Sequence, residues 1–278
     1  MNIEFINRLK KSGIFRFINL LLLIFSLMYL YDYYQKLDLV ELYLYDLNTL
    51  TPISLLVLGN IINAFAWSFL MGYEKTNIQQ VTIWMTSSIG KYLPFKIGIP
   101  ILRTSLNMNT DKHKSKDVIK KIFFEQIIII LFTLLFGSLY FLDKEISLTV
   151  FFLLFLILFL SVIFKNKLLS KIYIFIYGLG GWFIVFGLLQ FSQLSFVNLE
   201  NDIIFGYLLT STASMLALNI PAGLGFREAL TLVFFEGIFS SELIYIFVIN
   251  VRILLVLVDL LIFILGILIK YIFEIFYN

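Results

Sequence analysis

The residues best suited to chemistry form three groups, and the first surrounds a break in the apolar stretch 78–108. Glycine and proline interrupt a helix and leave backbone amides without intrahelical partners. Such amides, together with three nearby cations, are suited to bind an anion such as a phosphate. The alternative is a cytoplasmic loop whose lysines only extend toward lipid headgroups. The group consists of Gly90, Lys91, Tyr92, Pro94, Lys96 and Arg103.

The second group is a glycine- and proline-rich segment that ends in an adjacent arginine–glutamate pair. Pro221, Gly223 and Gly225 open the backbone, and Arg227 and Glu228 follow where a new helix is expected to begin. Glu228 suits the positive end of the helix dipole, whereas Arg227 does not and needs another partner. The pattern indicates a binding site, with an ordinary surface turn as the alternative.

The third group is a pair of charges inside the last apolar block, residues 243–269. Counted from Glu242 at about 1.5 Å per residue, Arg252 lies roughly 15 Å deep, and Asp259 follows about two turns later on the same face. Charges at this depth cannot face lipid cheaply and indicate a functional site by default. The alternative is a structural pair, either with each other or with Glu228 or Glu236.

A weaker candidate is Glu125, which lies one turn inside the block 121–142. An acidic residue in an apolar helix needs a partner. Lys121, four residues earlier, is the nearest one along the chain. Glu125 is therefore predicted to support the site or simply to pair with Lys121.

Most other chemistries find no support in the sequence. The chain has no cysteine and a single histidine, His113, so neither a thiolate nor an imidazole metal site is expected. There is no Asp-x-Asp pair, no Ser–His arrangement and no G-x-x-x-x-G-K-[ST] loop. The basic residues form no soluble nucleic-acid patch. We therefore expect no enzyme activity, no cofactor, no metal and no nucleic acid.

The elements that must position these groups are membrane helices. Of the 278 residues, 60% are hydrophobic and 14% charged, and the apolar ones form blocks of roughly 17 to 27 residues, enough to cross a bilayer. This composition predicts an all-α, polytopic helical bundle that occupies residues 1–278 as one membrane domain. The blocks are 13–31, 51–71, 121–142, 147–164, 172–191, 203–219 and 243–269, with broken stretches at 78–108 and 221–239.

Loop charges predict the orientation, because basic loops stay in the cytoplasm. The N-terminus is basic, the loop 32–48 is mainly acidic, and lysines cluster again before residue 121. The loop 165–171 is basic and the loop 198–202 acidic, which continues the alternation. We therefore expect a multi-pass protein of the inner membrane with a cytoplasmic N-terminus.

The two broken stretches do not fit this alternation as ordinary crossings. Stretch 78–108 begins and ends on the basic side, so we interpret it as a re-entrant pair of half-helices, and we expect a second pair over 203–239 from the opposite face. About six full spans and two opposed re-entrant pairs are typical of an inverted repeat. The alternative is eight or more full crossings.

The first group, Glu125, the second group and the third group, in this order along the chain, resemble the membrane domain of the lysylphosphatidylglycerol synthase/flippase family. The family motifs are similar to G-K-Y-x-P-G-K, E-R-x-x-D, G-G-L-G-x-R-E and a late R-L helix. Four positions of the chain depart from these motifs. They are Phe95, Ala222, Gln126 and Ile129, where the family usually has glycine, glycine, arginine and aspartate.

The resemblance implies binding and translocation of an anionic lipid or a polyprenyl-phosphate-linked sugar. We expect no soluble aminoacyl-transferring domain, so lipid aminoacylation is not implied. In our hypothesis Glu228 and Asp259 hold the arginines in place while the cations neutralise the headgroup phosphate. The rivals are a membrane transferase and an accessory or scaffold subunit for a separate glycosyltransferase. Whether the protein forms a homo-oligomer is left open. The predicted headgroup-binding residues are Lys91, Tyr92, Lys96, Arg103, Arg227 and Arg252.

Overall fold

The computed structural model describes residues 47–73, 75–92, 98–108, 115–138, 172–195, 202–216 and 226–277. This part of the chain is helical, as predicted, and contains eight α-helices. A 3₁₀ turn, Leu47–Thr49, precedes the first helix, and a 3₁₀ segment, Ser88–Tyr92, follows the second. The helices are α1 (Leu50–Leu70), α2 (Ile78–Ser87), α3 (Gly98–Met108), α4 (Ser115–Gly137), α5 (Ile172–Ser195), α6 (Asp202–Leu216), α7 (Phe226–Phe234) and α8 (Ser241–Tyr277).

Three of these helices are long and apolar enough to cross a membrane: Leu50–Leu70, Ile172–Leu194 and Glu242–Ile275. They are compatible with a membrane protein and coincide with predicted blocks. Helix α4 has 23 residues but carries Lys120, Lys121 and Glu125 in its first half, and it is not among the three. The predicted spans 13–31 and 147–164 lie outside the described residues, so six full spans stay a prediction.

The predicted break in stretch 78–108 is confirmed. Helix α2 ends at Ser87, the 3₁₀ segment Ser88–Tyr92 follows, and α3 begins at Gly98. At about 1.5 Å per residue, α2 and α3 are each roughly 15 Å long, half the thickness of a bilayer core. Re-entry from the cytoplasmic face stays a prediction.

Stretch 203–239 is also divided into two helices, α6 and α7, with residues 217–225 between them outside the described part. The expected second half-helix, 226–239, ends earlier, at Phe234. A turn follows in which Gly237 has φ of 80°, a backbone conformation that favours glycine. Because it ends at Phe234, α7 is only nine residues long. The chain continues from this turn into α8.

The most extensive helix packing joins α1 to α5. Glycines permit this close approach: a Cβ on Gly59 would lie 2.7 Å from the Gly180 carbonyl oxygen. Small residues at helix interfaces are typical of membrane bundles, because they let backbones come close and gain dispersion contacts. The α1–α5 pair is thus packed through close backbone contacts.

Helix α2 lies between two groups of helices and positions the residues that follow it. One side of α2 packs on α8, where a Cβ on Gly266 would lie 2.8 Å from Met85 Cβ, and the helix also contacts α1 and α3. Its N-terminus is capped by Asn77, whose side-chain oxygen accepts from the Gln80 amide at 3.1 Å. This placement directs the 3₁₀ segment that follows α2 toward α8.

Candidate functional site

The first and third groups meet at Asp259 of α8. Lys91 Nζ lies 2.5 Å from Asp259 Oδ2, and the Tyr92 hydroxyl donates a hydrogen bond to the same oxygen. The Asp259 side chain is buried, whereas the Lys91 side chain is 38% exposed. A carboxylate in an apolar helix is costly unless it is paired, and here the 3₁₀ segment supplies both partners.

The second group meets the third at Glu228, in the first turn of α7. Glu228 Oε1 lies 3.4 Å from Arg252 Nη1 of α8 and 3.7 Å from Arg227 Nη2. The Arg227 guanidinium also lies over the Tyr207 ring of α6, 5.1 Å from its centroid. Arg227 therefore finds the partners that its position at a helix N-terminus required.

These two sets of contacts are neighbours. Arg252 and Asp259 lie about two turns apart on one face of α8, and the charges of Arg252 and Arg227 both act on the Tyr92 hydroxyl. Glu228 and Asp259 were expected to hold the two arginines; Glu228 contacts both of them, whereas Asp259 pairs with Lys91. We name the ionic cluster by its six residues: Lys91, Tyr92, Arg227, Glu228, Arg252 and Asp259.

The ionic cluster carries more positive than negative charge. Three cations, Lys91, Arg227 and Arg252, face two carboxylates, Asp259 and Glu228, which leaves one positive charge in excess among the described side chains. Arg227 Nε and Glu228 Oε2 are buried and have no hydrogen-bond partner among the described residues. Because unpaired buried polar atoms are uncommon and costly, this geometry suits an anionic ligand that also offers hydrogen bonds.

Arg103 lies elsewhere. Its side chain is 2% exposed and forms an ion pair with Glu125 of α4, and its Nε donates to Ser87 Oγ at 3.0 Å. The guanidinium lies 4.4 Å from the Trp67 ring centroid and 5.7 Å from that of Trp84. Arg103 is thus buried and paired within the protein, and its role in headgroup binding stays a prediction.

Glu125 is the second charge of this enclosed group. Trp84 Nε1 donates to Glu125 Oε1 at 2.5 Å, and the Tyr177 hydroxyl donates to the same oxygen at 2.9 Å. The alternative that Glu125 pairs with Lys121 is wrong, because Lys121 Nζ donates instead to the Met71 carbonyl oxygen at 2.6 Å. We name the Arg103 cluster by its five residues: Trp67, Trp84, Arg103, Glu125 and Tyr177.

A neutral hydrogen-bond chain, which sequence reasoning missed, extends the Arg103 cluster. Trp67 Nε1 donates to Gln80 Oε1 at 3.1 Å, Gln80 Nε2 donates to Asn107 Oδ1 at 2.7 Å, and Asn107 Nδ2 donates to the Arg103 carbonyl at 2.8 Å. Polar amides in apolar blocks were the available signal. The chain ties α1, α2 and α3 together, so this region is structural.

Gly90 supports the ionic cluster by its small size. A Cβ at this position would lie 2.6 Å from the backbone of Gly98 and of Ile99, so the 3₁₀ segment contacts the start of α3 directly. The other predicted supporting residues of the two breaks, and one predicted cation, lie outside the described residues. These are Pro94, Lys96, Pro221, Gly223 and Gly225.

The described side chains offer no metal centre: no three of their His, Cys, Asp and Glu residues come together as ligands. Sequence reasoning also missed Tyr207, whose ring supports Arg227. A polar ring in a mainly apolar block was its only signal. Comparison with known proteins gives no match, since no family model matches the chain and no curated protein or solved structure matches it significantly.

Proposed function

We propose that this protein binds an anionic lipid headgroup, or a polyprenyl-phosphate-linked one, at the ionic cluster and translocates it across the inner membrane. The excess positive charge of the cluster carries this proposal. It lies on α7, α8 and the 3₁₀ segment, and α8 is long and apolar enough to cross a membrane. A charge kept among apolar helices needs a counterion, and a phosphate supplies one.

The contacts suggest how a headgroup would bind. Glu228 is shared by two arginines at 3.4 and 3.7 Å, distances that are long for a charge-assisted hydrogen bond. A phosphate oxygen forms shorter bonds and competes for the same guanidinium groups. Lys91, the most exposed cation of the cluster, is the first contact for an arriving headgroup. Translocation then requires no covalent step.

The family resemblance supports the same function. The residues that carry it, Lys91 and Tyr92 in one motif and Arg227 and Glu228 in another, are far apart in the sequence yet belong to one cluster. We therefore propose membership of the lysylphosphatidylglycerol synthase/flippase membrane-domain family, with a cytoplasmic N-terminus and the two broken stretches as re-entrant pairs.

The test is lipid translocation in reconstituted vesicles of phosphatidylcholine that contain fluorescent phosphatidylglycerol. Dithionite quenches only the outer leaflet, so translocation appears as quenching beyond one half. We expect quenching beyond one half with the wild-type protein and a loss of that excess with Arg252→Gln. A hydrogen bond to a charged group contributes about 1.5–3 kcal/mol, or roughly tenfold or more in affinity.

Lys270→Gln is the matched control. Lys270 lies on the same helix, is 57% exposed, and pairs only with Glu274 among the described residues, at 3.8 Å. We expect it to translocate at the wild-type rate. If wild-type vesicles lose no more than the outer-leaflet fluorescence, or if Arg252→Gln and Lys270→Gln behave alike, the proposed function is wrong.

A further inference from the structure

The carboxyl group of Glu228 has one oxygen in contact with cations and one without a partner. Oε1 lies 3.4 Å from Arg252 Nη1 and 3.7 Å from Arg227 Nη2. Oε2 is buried and makes no hydrogen bond with a described residue. A buried carboxylate oxygen without a donor is costly, and the cost falls when a ligand, a water molecule or a proton binds to it. Oε2 is therefore an oxygen at which a proton can bind.

Helix α6 places two neutral hydroxyl groups near this carboxyl group. Tyr207 and Ser211 are four residues apart, share a helix face and are buried, at 2% and 7% exposure. Their hydroxyls lie close to each other, yet neither makes a hydrogen bond of ordinary geometry with a described residue. The charges of Arg227, Glu228 and Arg252 all act on the Tyr207 hydroxyl. A hydroxyl can donate to an ionised carboxyl and accept from a protonated one, so these two groups suit either form of Glu228.

The charged and titratable groups that face Glu228 come from each helix that packs on α7. They are Arg252 of α8, Tyr207 of α6 and Arg227 of α7 itself. The other carboxylate of the cluster, Asp259, lies about two turns further along α8 and has its own cation in Lys91. Without a ligand, the counterions of Glu228 are thus the two arginines, at the long distances given above.

We propose that the ionic cluster takes up a proton at Glu228 when an anion binds to Arg227 and Arg252, so that headgroup binding is coupled to proton binding. The anion takes guanidinium donors that Glu228 otherwise shares, and it brings a second negative charge beside the carboxylate. A neighbouring like charge favours the neutral form of a carboxyl group. One proton from the aqueous phase then forms an O–H bond at Oε2, no bond breaks, and the carboxylate becomes a neutral carboxylic acid. This inference rests on the proposed function and specifies how its site is coupled and regulated.

The neutral acid has acceptors on the α6 side, the hydroxyl oxygens of Tyr207 and Ser211. Helices α6 and α7 are held together here by Thr210 and Thr231, whose Oγ1 atoms lie 2.8 Å apart. When the anion leaves, the guanidinium groups return to Glu228 and the proton is released. Because such coupling is reciprocal, the proton also strengthens anion binding. A proton gradient can therefore drive translocation without any nucleotide.

Proton uptake can be counted in the wild-type protein. Isothermal titration calorimetry of the full chain in detergent, with dioleoyl-phosphatidylglycerol as the probe, is carried out at one pH in two buffers of different ionisation enthalpy. The difference between the two heats gives the number of protons bound per lipid, because the phosphate of this lipid keeps its charge near neutral pH. We expect uptake of about 0.3 to 1 proton per lipid. Uptake of no proton, or release of one, overturns the inference.

The pH dependence of the Kd shows which residue takes the proton. The lipid-bound state holds more protons than the free state, so the Kd should fall as the pH falls, by at most about tenfold per pH unit. In Glu228→Gln, which takes up no proton, we expect one Kd between about pH 6 and pH 8. Lys270→Gln, outside the cluster, is the matched control and should keep the wild-type pH dependence. A pH dependence that is lost in Asp259→Asn and kept in Glu228→Gln overturns the assignment to Glu228.

The outcomes distinguish this inference from the proposed function. Tighter binding of phosphatidylglycerol than of dioleoyl-phosphatidylcholine, with no proton uptake and one Kd at every pH, overturns the inference and leaves anionic-lipid binding intact. If phosphatidylglycerol binds no more tightly than phosphatidylcholine at any pH, the proposed function itself is wrong. If Glu228→Gln does not fold, the calorimetry of the wild-type protein still decides whether a proton is taken up.

Discussion

The Arg103 cluster and the ionic cluster are built from the same kinds of side chains but differ in balance. In the first, one arginine meets one glutamate, both at most 2% exposed, and no buried polar atom of its described side chains lacks a partner. In the second, three cations meet two carboxylates. Arg227 Nε and Glu228 Oε2 are buried there without a hydrogen-bond partner among the described residues. A satisfied neutral network holds helices together, whereas an unbalanced one is suited to a ligand.

The largest effect that would test this comparison is the loss of charge at Glu125. Glu125→Gln keeps the side-chain volume and can still accept from Trp84 and Tyr177, but it leaves Arg103 buried without a counterion. We expect the free energy of unfolding to fall by about 3–5 kcal/mol, the cost of breaking a buried ion pair. Thermal unfolding in detergent, followed by tryptophan fluorescence, measures it.

A double variant supplies the control for Glu125. Arg103→Met combined with Glu125→Met removes both charges, so most of the lost stability should return. An unfolding midpoint of Glu125→Gln equal to that of the wild type would show that the pair is not buried, and the contrast between the two clusters would fail.

Next in size is stabilisation by lipid, which should depend on the ionic cluster alone. A ligand at a hundred times its Kd raises the free energy of unfolding by about 2.7 kcal/mol. We expect phosphatidylglycerol to raise the unfolding midpoint above its value in phosphatidylcholine. This increment should disappear in Arg252→Gln and persist in the Arg103→Met, Glu125→Met double variant. An increment that disappears only in the double variant would reverse the roles of the clusters.

A smaller effect is expected from Gly90→Ala, which tests how the 3₁₀ segment is positioned. The added methyl would lie 2.6 Å from backbone atoms of Gly98 and Ile99, which cannot rotate away. We expect a loss of about 1–3 kcal/mol, the usual cost of overpacking, with weaker lipid binding because Lys91 and Tyr92 shift. Gly181→Ala is the control, because its Cβ would meet only the Phe136 ring, at 3.3 Å. Equal unfolding midpoints for the two variants would contradict the tight contact.

The smallest effect should come from a cation outside both clusters. Lys270 and Glu274 are 57% and 52% exposed and form an i, i+4 pair. Lys270→Gln should change the free energy of unfolding by about 0.5 kcal/mol or less, because exposed pairs contribute little. A chemical denaturation series in detergent measures it, and a loss as large as that of Gly90→Ala would undo the ranking.

Much of the helix pattern could be predicted from the sequence, because it depends on local composition. The blocks 51–71 and 172–191 correspond closely to α1 and α5, and the block 243–269 lies within α8. A break in stretch 78–108 was also predicted, at residues 90–94, since glycine and proline act on the backbone where they stand, and α2 ends just before it, at Ser87. The early end of α7 was not, because the turn around Gly237 offered no comparable signal.

The candidate site could be predicted in its members but not in its pairings. Ionisable side chains in apolar helices are costly and are therefore expected to be paired or functional. This made four of the members recognisable: Arg227, Glu228, Arg252 and Asp259. Arg103 was grouped with Lys91 because both follow the same basic pattern along the chain. Only the direction in which α3 faces separates them: Arg103 points into a tryptophan-lined core, whereas Lys91 stays partly exposed.

By itself, the sequence determined that apolar helices dominate the protein, where two of them break, and which charges must find partners. Only the tertiary structure decided which residues pair with these charges. Arg252 and Asp259 are seven residues apart, about 10 Å along the helix axis and beyond ion-pair reach, so each needs a partner from another segment, and Arg252 pairs with Glu228. Asp259 is met instead by Tyr92, 167 residues earlier. Charges in an apolar bundle pair with whatever lies at the same depth, and depth is a property of the packed helices.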